Sequence, residues 1–251
     1  LTQRPARKDI ESLWRVLEDN RIDLFVTAAT GDRRKRLFLA DMDATIVTGE
    51  TLDEIAALAG IGDAVAAITK RAMAGELDFK AALRERVAML KDRDAALLND
   101  ALGKLELSRG AQGLVRGMAE CGATCVLVSG GFTFFTEKIA ARAGFHHHHG
   151  NLLEINNGRL CGAVAEPILD RDSKLKLLQQ YAQQLNLDLS ETLAIGDGAN
   201  DLPMLQAAGL GIGYRPKPLL RAALDNCILY GDLTAALFAQ GHRETDINKH
   251  R

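Results

Sequence analysis

The chain has little of what marks secreted, membrane or nucleic-acid-binding proteins. Its 251 residues include only four cysteines and five prolines, and no apolar run approaches the roughly 18 residues of a membrane span. With so few cysteines and no hydrophobic segment at its start, we expect a protein of the reducing cytoplasm rather than a disulfide scaffold. Acidic and basic residues nearly balance, at 33 and 31, which argues against nucleic acid or a membrane as partner. We therefore expect a small-molecule substrate, while the composition indicates no oligomeric state.

Two apolar segments, 37–40 and 193–195, each lead directly into a pair of aspartates. The pairs are Asp41 with Asp43 and Asp197 with Asp201. Because ligand sites in open parallel sheets gather at the carboxyl ends of the strands, we expect all four acids to converge. Two carboxylates about 4 Å apart repel by roughly 4 kcal/mol at an effective dielectric constant near 20, so a cation should lie among them. Hard oxygen ligands with room for water are typical of Mg²⁺.

The spacing of apolar residues predicts an α/β protein with a doubly wound parallel sheet and a helical insertion after the first strand. A capping box at Thr51 and Glu54 starts the helical stretch. The predicted division is an N-terminal appendage over 1–35 with one short helix, a catalytic core over 36–51 and 108–240, a helical cap over 52–107, and a C-terminal tail over 241–251.

Three features of the core and cap each allow a functional and a structural interpretation. Ser129-Gly130-Gly131 lies between a predicted strand and a helix, where a hydroxyl and backbone N–H groups suit a phosphate, but an ordinary turn fits equally well. Lys174 lies in the first turn of a predicted helix, where the macrodipole disfavours a cation, so it either meets an anion or faces solvent. Arg86 lies on an apolar helix stripe, where a snorkelling arginine is favoured over one that clamps a carboxylate.

The run His146–His149 is predicted to form a solvated loop. A metal site is disfavoured because consecutive residues do not share a helical face and a site would need partners from elsewhere. Cys121 and Cys125 have no matching second pair, so we also disfavour structural zinc and interpret Cys125 as a buried apolar residue.

Together, four motifs resemble the ordered signatures of the haloacid dehalogenase superfamily. They are Asp41-Met42-Asp43-Ala44-Thr45, Ser129-Gly130-Gly131-Phe132, Lys174, and Gly196-Asp197-Gly198-Ala199-Asn200-Asp201. The predicted cap resembles the phosphoserine phosphatases of that superfamily at Glu50–Ile55, Met73–Phe79 and Arg84–Arg86. The resemblance spans roughly residues 36 to 235. It implies a Rossmann-like core with a helical cap, a bound Mg²⁺, and hydrolysis of O-phospho-L-serine to serine and phosphate, the last step of serine biosynthesis.

The same resemblance implies a role for each matching residue. Asp41 would be the nucleophile that forms an aspartyl phosphate, and Asp43 the acid that protonates the leaving oxygen and later activates water. Mg²⁺ would be held by Asp41, the backbone of Asp43, and Asp197, with Asp201 supporting the loop. The phosphoryl oxygens would be bound by Ser129, Gly130, Lys174 and Asn200. The rest of the substrate would meet Glu50 at its ammonium, Arg86 at its carboxylate, and an apolar wall of Met73 and Phe79.

One position departs from the family pattern, because Ala44 stands where these phosphatases usually have serine. Both acids are present, so we interpret this difference as an adjustment of rate or loop geometry. Other functions compatible with the residues are transfer of the phosphoryl group to another alcohol such as homoserine, and hydrolysis of a different small phosphate ester. A third is a phospholigand-binding module with weak turnover.

Overall fold

A computed structural model describes residues 6–27 and 33–247, apart from the side chains of Arg7, Met73, Asp246 and Ile247. Parts of the predicted appendage, 1–5 and 28–32, and of the predicted tail, 248–251, lie outside the described residues. The main sheet has six parallel strands in the order β3-β2-β1-β6-β7-β8, and β4 and β5 form a separate antiparallel hairpin. The strands are β1 (Leu37–Asp41), β2 (Thr124–Phe132), β3 (His147–Asn151), β4 (Leu153–Asn156), β5 (Arg159–Val164), β6 (Thr192–Gly196), β7 (Leu210–Tyr214) and β8 (Cys227–Ile228).

Helices surround the sheet, and five of the helices described lie between β1 and β2. The helices are α1 (Arg7–Glu18), α2 (Thr51–Leu58), α3 (Gly62–Met73), α4 (Phe79–Ala88), α5 (Leu97–Lys104), α6 (Ala111–Glu120), α7 (Thr133–Ala143), α8 (Arg171–Gln184), α9 (Leu202–Ala207), α10 (Pro218–Ala223), α11 (Ala235–Ala239) and α12 (Glu244–Ile247). In the described part of the chain, no helix is long and apolar enough to cross a membrane. The predicted α/β class with a parallel sheet is confirmed.

Strand β1 shows why the sheet is doubly wound. All five of its residues are buried. Phe38 belongs to one hydrophobic cluster, which includes residues of α6 and α7, whereas Leu37 and Leu39 belong to a second cluster with Leu178 of α8 and Met204 of α9. Because successive side chains of a strand point to opposite faces, a strand covered on both faces has to be apolar throughout. Asp41 at its carboxyl end is therefore carried into the protein by a rigid, fully packed element.

The histidine run was predicted to be a solvated loop; His146–His148 are exposed as expected, but the loop assignment is wrong. His147–Asn151 forms the edge strand β3, parallel to β2. An edge strand has one side open to solvent and accepts polar residues, which is why the composition concealed it. Two consecutive side chains of the strand contact helices on opposite faces of the sheet, α8 and α7. The Nε2 atom of His149 lies 2.8 Å from the Tyr181 hydroxyl, and the Nδ1 atom of His148 lies 3.0 Å from the Thr136 hydroxyl.

The segment that follows α1 is bound to the far edge of the sheet. The Asp23 carboxylate accepts hydrogen bonds from the backbone N–H groups of Leu229, Tyr230 and Gly231, at 2.8 to 3.1 Å. Charged acceptors make the stronger class of hydrogen bond. This segment is thus anchored to the loop beyond β8.

Candidate active site

Two aspartates lie at the carboxyl end of β1, in different surroundings. Asp41 ends the strand, is 5% exposed, and accepts a hydrogen bond from the N–H of Met42 at 2.8 Å. Asp43 lies in the loop that follows, and both of its carboxylate oxygens are engaged. Oδ1 accepts a 2.8 Å bond from the backbone N–H of Thr51, and Oδ2 accepts a 2.8 Å bond from the Ser129 hydroxyl. Asp43 therefore joins the end of β2 to the start of α2.

Lys174 is buried between two acids rather than exposed on its helix. Its Nζ lies 2.7 Å from Asp41 Oδ1 and 2.5 Å from Asp201 Oδ1, and the residue is 3% exposed. Burial alone would lower the pKa of Lys174, but Asp201 and Asp41 raise it well above its usual value. These two anions account for a cation in the first turn of α8. The ammonium stays charged at any physiological pH.

Asp201 fixes the loop that follows β6. Its Oδ2 accepts hydrogen bonds from the N–H of Asp197 at 3.1 Å and of Gly198 at 3.0 Å. Gly196 lies so close to this carboxylate that a Cβ there would overlap it. Asp197 is thereby held with its carboxylate beside that of Asp41, although the two residues are far apart in the sequence.

Three buried carboxylates, from Asp41, Asp197 and Asp201, bring oxygen atoms within 4.8 Å of one another. Burial raises the pKa of Asp41 well above its usual value, Asp201 raises it further, and Lys174 only partly offsets the two effects. One buried ammonium thus leaves the cluster with excess negative charge. Hard oxygen donors in this arrangement fit a divalent cation, which would compensate that charge. The Asp43 carboxylate is engaged elsewhere, with Thr51 and Ser129.

The surroundings of Asp43 favour retention of a proton on its carboxyl group. Burial raises the pKa of its carboxyl group, and the hydrogen bonds from Thr51 and Ser129 only partly reverse that shift. A carboxylic acid that holds its proton closer to neutral pH is a better general acid. The Ser129 hydroxyl is oriented by the N–H of Gly131, which donates to it at 2.7 Å.

A cavity of about 510 Å³ separates these acids from the helical stretch α2–α5. Its lining includes the predicted residues Asp41, Asp43, Glu50, Phe79, Arg86, Ser129, Gly130 and Asn200. Lys174 lies behind Asp41, buried by the contacts described above. Met73 ends α3, but its side chain lies outside the described residues.

On the helical side of the cavity, the charged side chains are more exposed to solvent than those of the acidic cluster. Arg86 is half-buried, and its Nε donates to the Ala82 carbonyl at 3.2 Å. Burial lowers the pKa of Arg86, whereas Asp53 and Glu50 raise it. Burial and Asp43 raise the pKa of the Glu50 carboxyl, and Lys217 lowers it. An acidic and a cationic side chain thus face the same cavity, each partly shielded from water.

Phe79 brings the helical side into contact with the core. A Cβ at Gly130 would lie 2.9 Å from the Phe79 ring, so the ring packs directly against the bare backbone of that glycine. Gly130 lies within β2, which extends through Phe132, rather than in the turn that the sequence predicted, and close approach of this kind is one reason for glycine there.

Lys217 was missed by the sequence analysis. It follows β7, and its Nζ lies 3.0 Å from Asp197 Oδ2 and 3.5 Å from Glu50 Oε1. The available signal was its place just beyond the carboxyl end of a third parallel strand, the edge at which the acids were expected to meet. The sequence identifies Thr51 only as the start of a helix, because its hydrogen bond to Asp43 forms only in the folded loop.

Comparison with known proteins gives a consistent family. The sequence profile of the haloacid dehalogenase-like hydrolases matches residues 38–206. A phosphoserine phosphatase of Archaeoglobus fulgidus is 39% identical over 91% of this chain and 67% of its own length. The phosphoserine phosphatase SerB2 of Mycobacterium tuberculosis is 43% identical over 83% of this chain, which spans only 51% of that relative.

Solved structures agree with the profile. A HAD family hydrolase from Salmonella enterica serovar Typhi has a TM-score of 0.88 at 31% identity, with 94% of this chain and 80% of that chain covered. A substrate-bound phosphoserine phosphatase complex has a TM-score of 0.76 at 36% identity, with 82% of this chain and 98% of that chain covered. The matched span includes both aspartate pairs, Ser129 and Lys174. The chain belongs to the haloacid dehalogenase-like hydrolases.

Proposed function

We propose that this chain is a Mg²⁺-dependent phosphoserine phosphatase that converts O-phospho-L-serine to L-serine and phosphate. The observation that carries the proposal is one cavity with two kinds of wall. Asp41 and Asp43, with Lys174 behind them, stand at its core side, and Glu50 and Arg86 stand at its cap side. The first wall suits a phosphoryl group, and the second suits the ammonium and carboxylate of an amino acid. Relatives named phosphoserine phosphatase support the same assignment.

The two aspartates divide the reaction into two steps. The Asp41 carboxylate attacks phosphorus, the bond from phosphorus to the serine oxygen breaks, and Asp43 gives its proton to that oxygen. An aspartyl phosphate remains on Asp41. Asp43, now ionised, takes a proton from water, which attacks the phosphorus, releases inorganic phosphate and restores the Asp41 carboxylate. The raised pKa of Asp43 serves its first role, and its bonds to Thr51 and Ser129 hold it in place for both.

The phosphoryl oxygens carry negative charge that the core side has to stabilise. The groups proposed to do this are the Ser129 hydroxyl, the Gly130 backbone, the Lys174 ammonium and the Asn200 amide. Lys174 already lies 2.7 Å from the nucleophile, so its charge needs no rearrangement when the phosphate arrives.

Mg²⁺ is the cation that best suits the acidic cluster, because it takes hard oxygens and keeps positions for phosphate and water. Asp41, the backbone carbonyl of Asp43, and Asp197 would hold it, and Asp201 would keep the Asp197 loop in position. When bound, it would reduce the repulsion between nucleophile and phosphate.

The cap side selects the amino acid. Glu50 would accept hydrogen bonds from the substrate ammonium, and the Arg86 guanidinium would donate two parallel bonds to the substrate carboxylate. Phe79, and in our proposal Met73, would close the apolar side. Cytoplasmic location is part of the proposal, since a chain with only four cysteines suits a reducing compartment better than a disulfide scaffold.

Phosphate release from O-phospho-L-serine tests the proposal, beside a panel of other phosphomonoesters, with Mg²⁺ or a chelator. We expect Mg²⁺-dependent turnover that prefers phosphoserine and falls by roughly 10³-fold or more in Asp41→Asn, because that variant lacks the nucleophile. Asp63→Asn, a change at an exposed position of α3, is the matched control and should leave the rate unchanged.

Each other result points to a different function. Release only from other esters would refute the assignment of Glu50 and Arg86. Consumption of phosphoserine with transfer of its phosphoryl group to an added alcohol, such as homoserine, would indicate a phosphotransferase. Tight binding of phosphoserine with no release would indicate a binding module.

A further inference from the structure

Lys217 occupies an unusual position, because its ammonium bridges the two walls of the cavity. It lies 3.0 Å from Asp197 Oδ2 on the core side and 3.5 Å from Glu50 Oε1 on the cap side. Its backbone N–H separately donates to the Asp197 carbonyl at 2.9 Å. The loop position of the residue is thus fixed by its backbone, and the side chain is free to serve another purpose.

Asp197 and Glu50, which both pair with the Lys217 ammonium, are each proposed to bind another cation. In the proposed function, Glu50 accepts the substrate ammonium and Asp197 holds a divalent cation. An ammonium at 3.0 to 3.5 Å occupies hydrogen-bonding positions on both carboxylates, and like charges a few ångströms apart repel. Lys217 and these ligands therefore exclude one another from the same oxygens.

The Lys217 side chain is able to leave. It is 52% exposed, whereas the other lysine of the site, Lys174, is 3% exposed. A half-exposed lysine recovers hydration when it leaves its partners, so its pairs with Asp197 and Glu50 are weak compared with buried ones. A flexible four-carbon stem carries the charge and needs no backbone movement.

We propose that Lys217 is a positioning residue that acts as a displaceable internal cation. Its ammonium neutralises Asp197 and Glu50 and has to leave them before a divalent cation and a substrate ammonium bind there. The proposal has two halves. The half that concerns Asp197 rests on the acidic cluster alone, and the half that concerns Glu50 rests on the proposed function. Lys217 thereby competes with other cations for the two carboxylates and lowers the affinity of the site for its ligands.

Calorimetric titration of Mg²⁺ into the protein without substrate tests the Asp197 half. Lys217→Met removes the competing charge and retains the length of the stem, so we expect the Kd for Mg²⁺ to fall about five-fold. Lys217→Arg keeps a cation at the same place and should stay within about two-fold of the wild type. Circular dichroism checks that each variant is folded, as expected for a half-exposed position.

Arg171→Met separates direct competition from a general loss of positive charge. Arg171 lines the same cavity, but its Nε pairs with neighbouring Asp172 at 3.6 Å. We expect its removal to leave the Kd for Mg²⁺ nearly unchanged. Equal tightening in Arg171→Met and Lys217→Met would overturn the inference, as would unchanged or weaker Mg²⁺ binding in Lys217→Met.

The Glu50 half is tested by the ratio of two KM values, for phosphoserine and for D-3-phosphoglycerate, which lacks the ammonium. At saturating Mg²⁺ we expect Lys217→Met to shift this ratio about three- to five-fold in favour of phosphoserine. An unchanged ratio would refute this half. If the wild type hydrolyses no phosphoserine, the proposed function fails, and tighter Mg²⁺ binding in Lys217→Met still supports competition at Asp197.

Discussion

The two walls of the cavity differ in how firmly their charged groups are held. On the core side, the side chains of Asp41 and Lys174 are at most 6% exposed and their charged atoms lie 2.7 Å apart, on a strand and a helix of the packed sheet. On the other side of the cavity, Glu50, just before α2, and Lys217, which reaches it from the loop after β7, are about half exposed and lie 3.5 Å apart. The groups proposed for bond breaking are therefore preorganised, and the groups proposed for recognition are able to adjust.

A physical reason underlies this difference. Electrostatic stabilisation of a reacting phosphate works best from charges that need no rearrangement, which requires burial and complete hydrogen bonding. A binding pocket instead has to exchange water and counterions for its ligand, which is easier near solvent. The comparison leads to four predictions, given in order of decreasing effect.

Lys174→Met should have the largest effect, because it leaves buried carboxylates without their cation. We expect loss of phosphatase activity and a fall of about 3 to 5 kcal/mol in the free energy of unfolding, measured with urea at pH 8 in a chelator. The loss depends on pH in a defined direction. Removal of Lys174 raises the pKa of Asp41 further above its ordinary 3.8, and an acid with a raised folded-state pKa loses stability as pH rises through that range.

The stability deficit of Lys174→Met should therefore shrink towards pH 4 and grow towards pH 8. The double variant Lys174→Met/Asp41→Asn is the control, since removal of one carboxylate should restore part of the stability. An equal deficit at both pH values would show that Lys174 stabilises the fold by packing.

Arg86→Ala should raise the KM for phosphoserine about 10- to 100-fold, since a charged hydrogen-bonding partner contributes about 1.5 to 3 kcal/mol. Arg86→Lys keeps the charge but not the planar fork, so an intermediate KM is expected. Phosphoethanolamine, which has no carboxylate, is the control substrate. If its KM rises equally, Arg86 does not bind the carboxylate.

Gly130→Ala tests the contact between the two walls. The added Cβ would lie 2.9 Å from the Phe79 ring and would displace it from the core. We expect the KM for phosphoserine to rise about five-fold, corresponding to roughly 1 kcal/mol of overpacking. Gly130→Ala/Phe79→Leu makes room for the methyl group and should recover most of the affinity. A double variant no better than Gly130→Ala would place the defect in the backbone at the end of β2 itself.

Ala44→Gly should have the smallest effect, and it should be stabilising. Ala44 has φ 52° and ψ 6°, a left-handed conformation that is unfavourable for a residue with a Cβ. We expect a gain of about 0.5 to 1 kcal/mol in chemical denaturation, after the greater entropy of unfolded glycine is included. Ala57→Gly, at an exposed position within α2, should instead cost about 1 kcal/mol. Equal losses in the two variants would contradict the strain at Ala44.

The α/β class and the parallel sheet were predictable because they depend on local periodicity. Apolar strands that end in aspartate and helices with apolar stripes are visible in any short window of the sequence. The edge strand β3 was not predictable in this way, since its three histidines carry no apolar signal and their strand conformation comes from pairing with β2. Lys217 was missed for a similar reason, because its partners Asp197 and Glu50 are distant in the sequence.

The sequence by itself determined which residue types stand at the strand ends, and so the kind of chemistry that this protein is able to perform. Only the tertiary structure decided which charges neutralise one another. From the sequence alone, exposure of Lys174 to solvent and contact with an anion were equally compatible. In the structure, α8 places its ammonium between Asp41 and Asp201. Burial and pairing depend on distances between elements that are remote along the chain, and those distances arise from packing on both faces of the sheet.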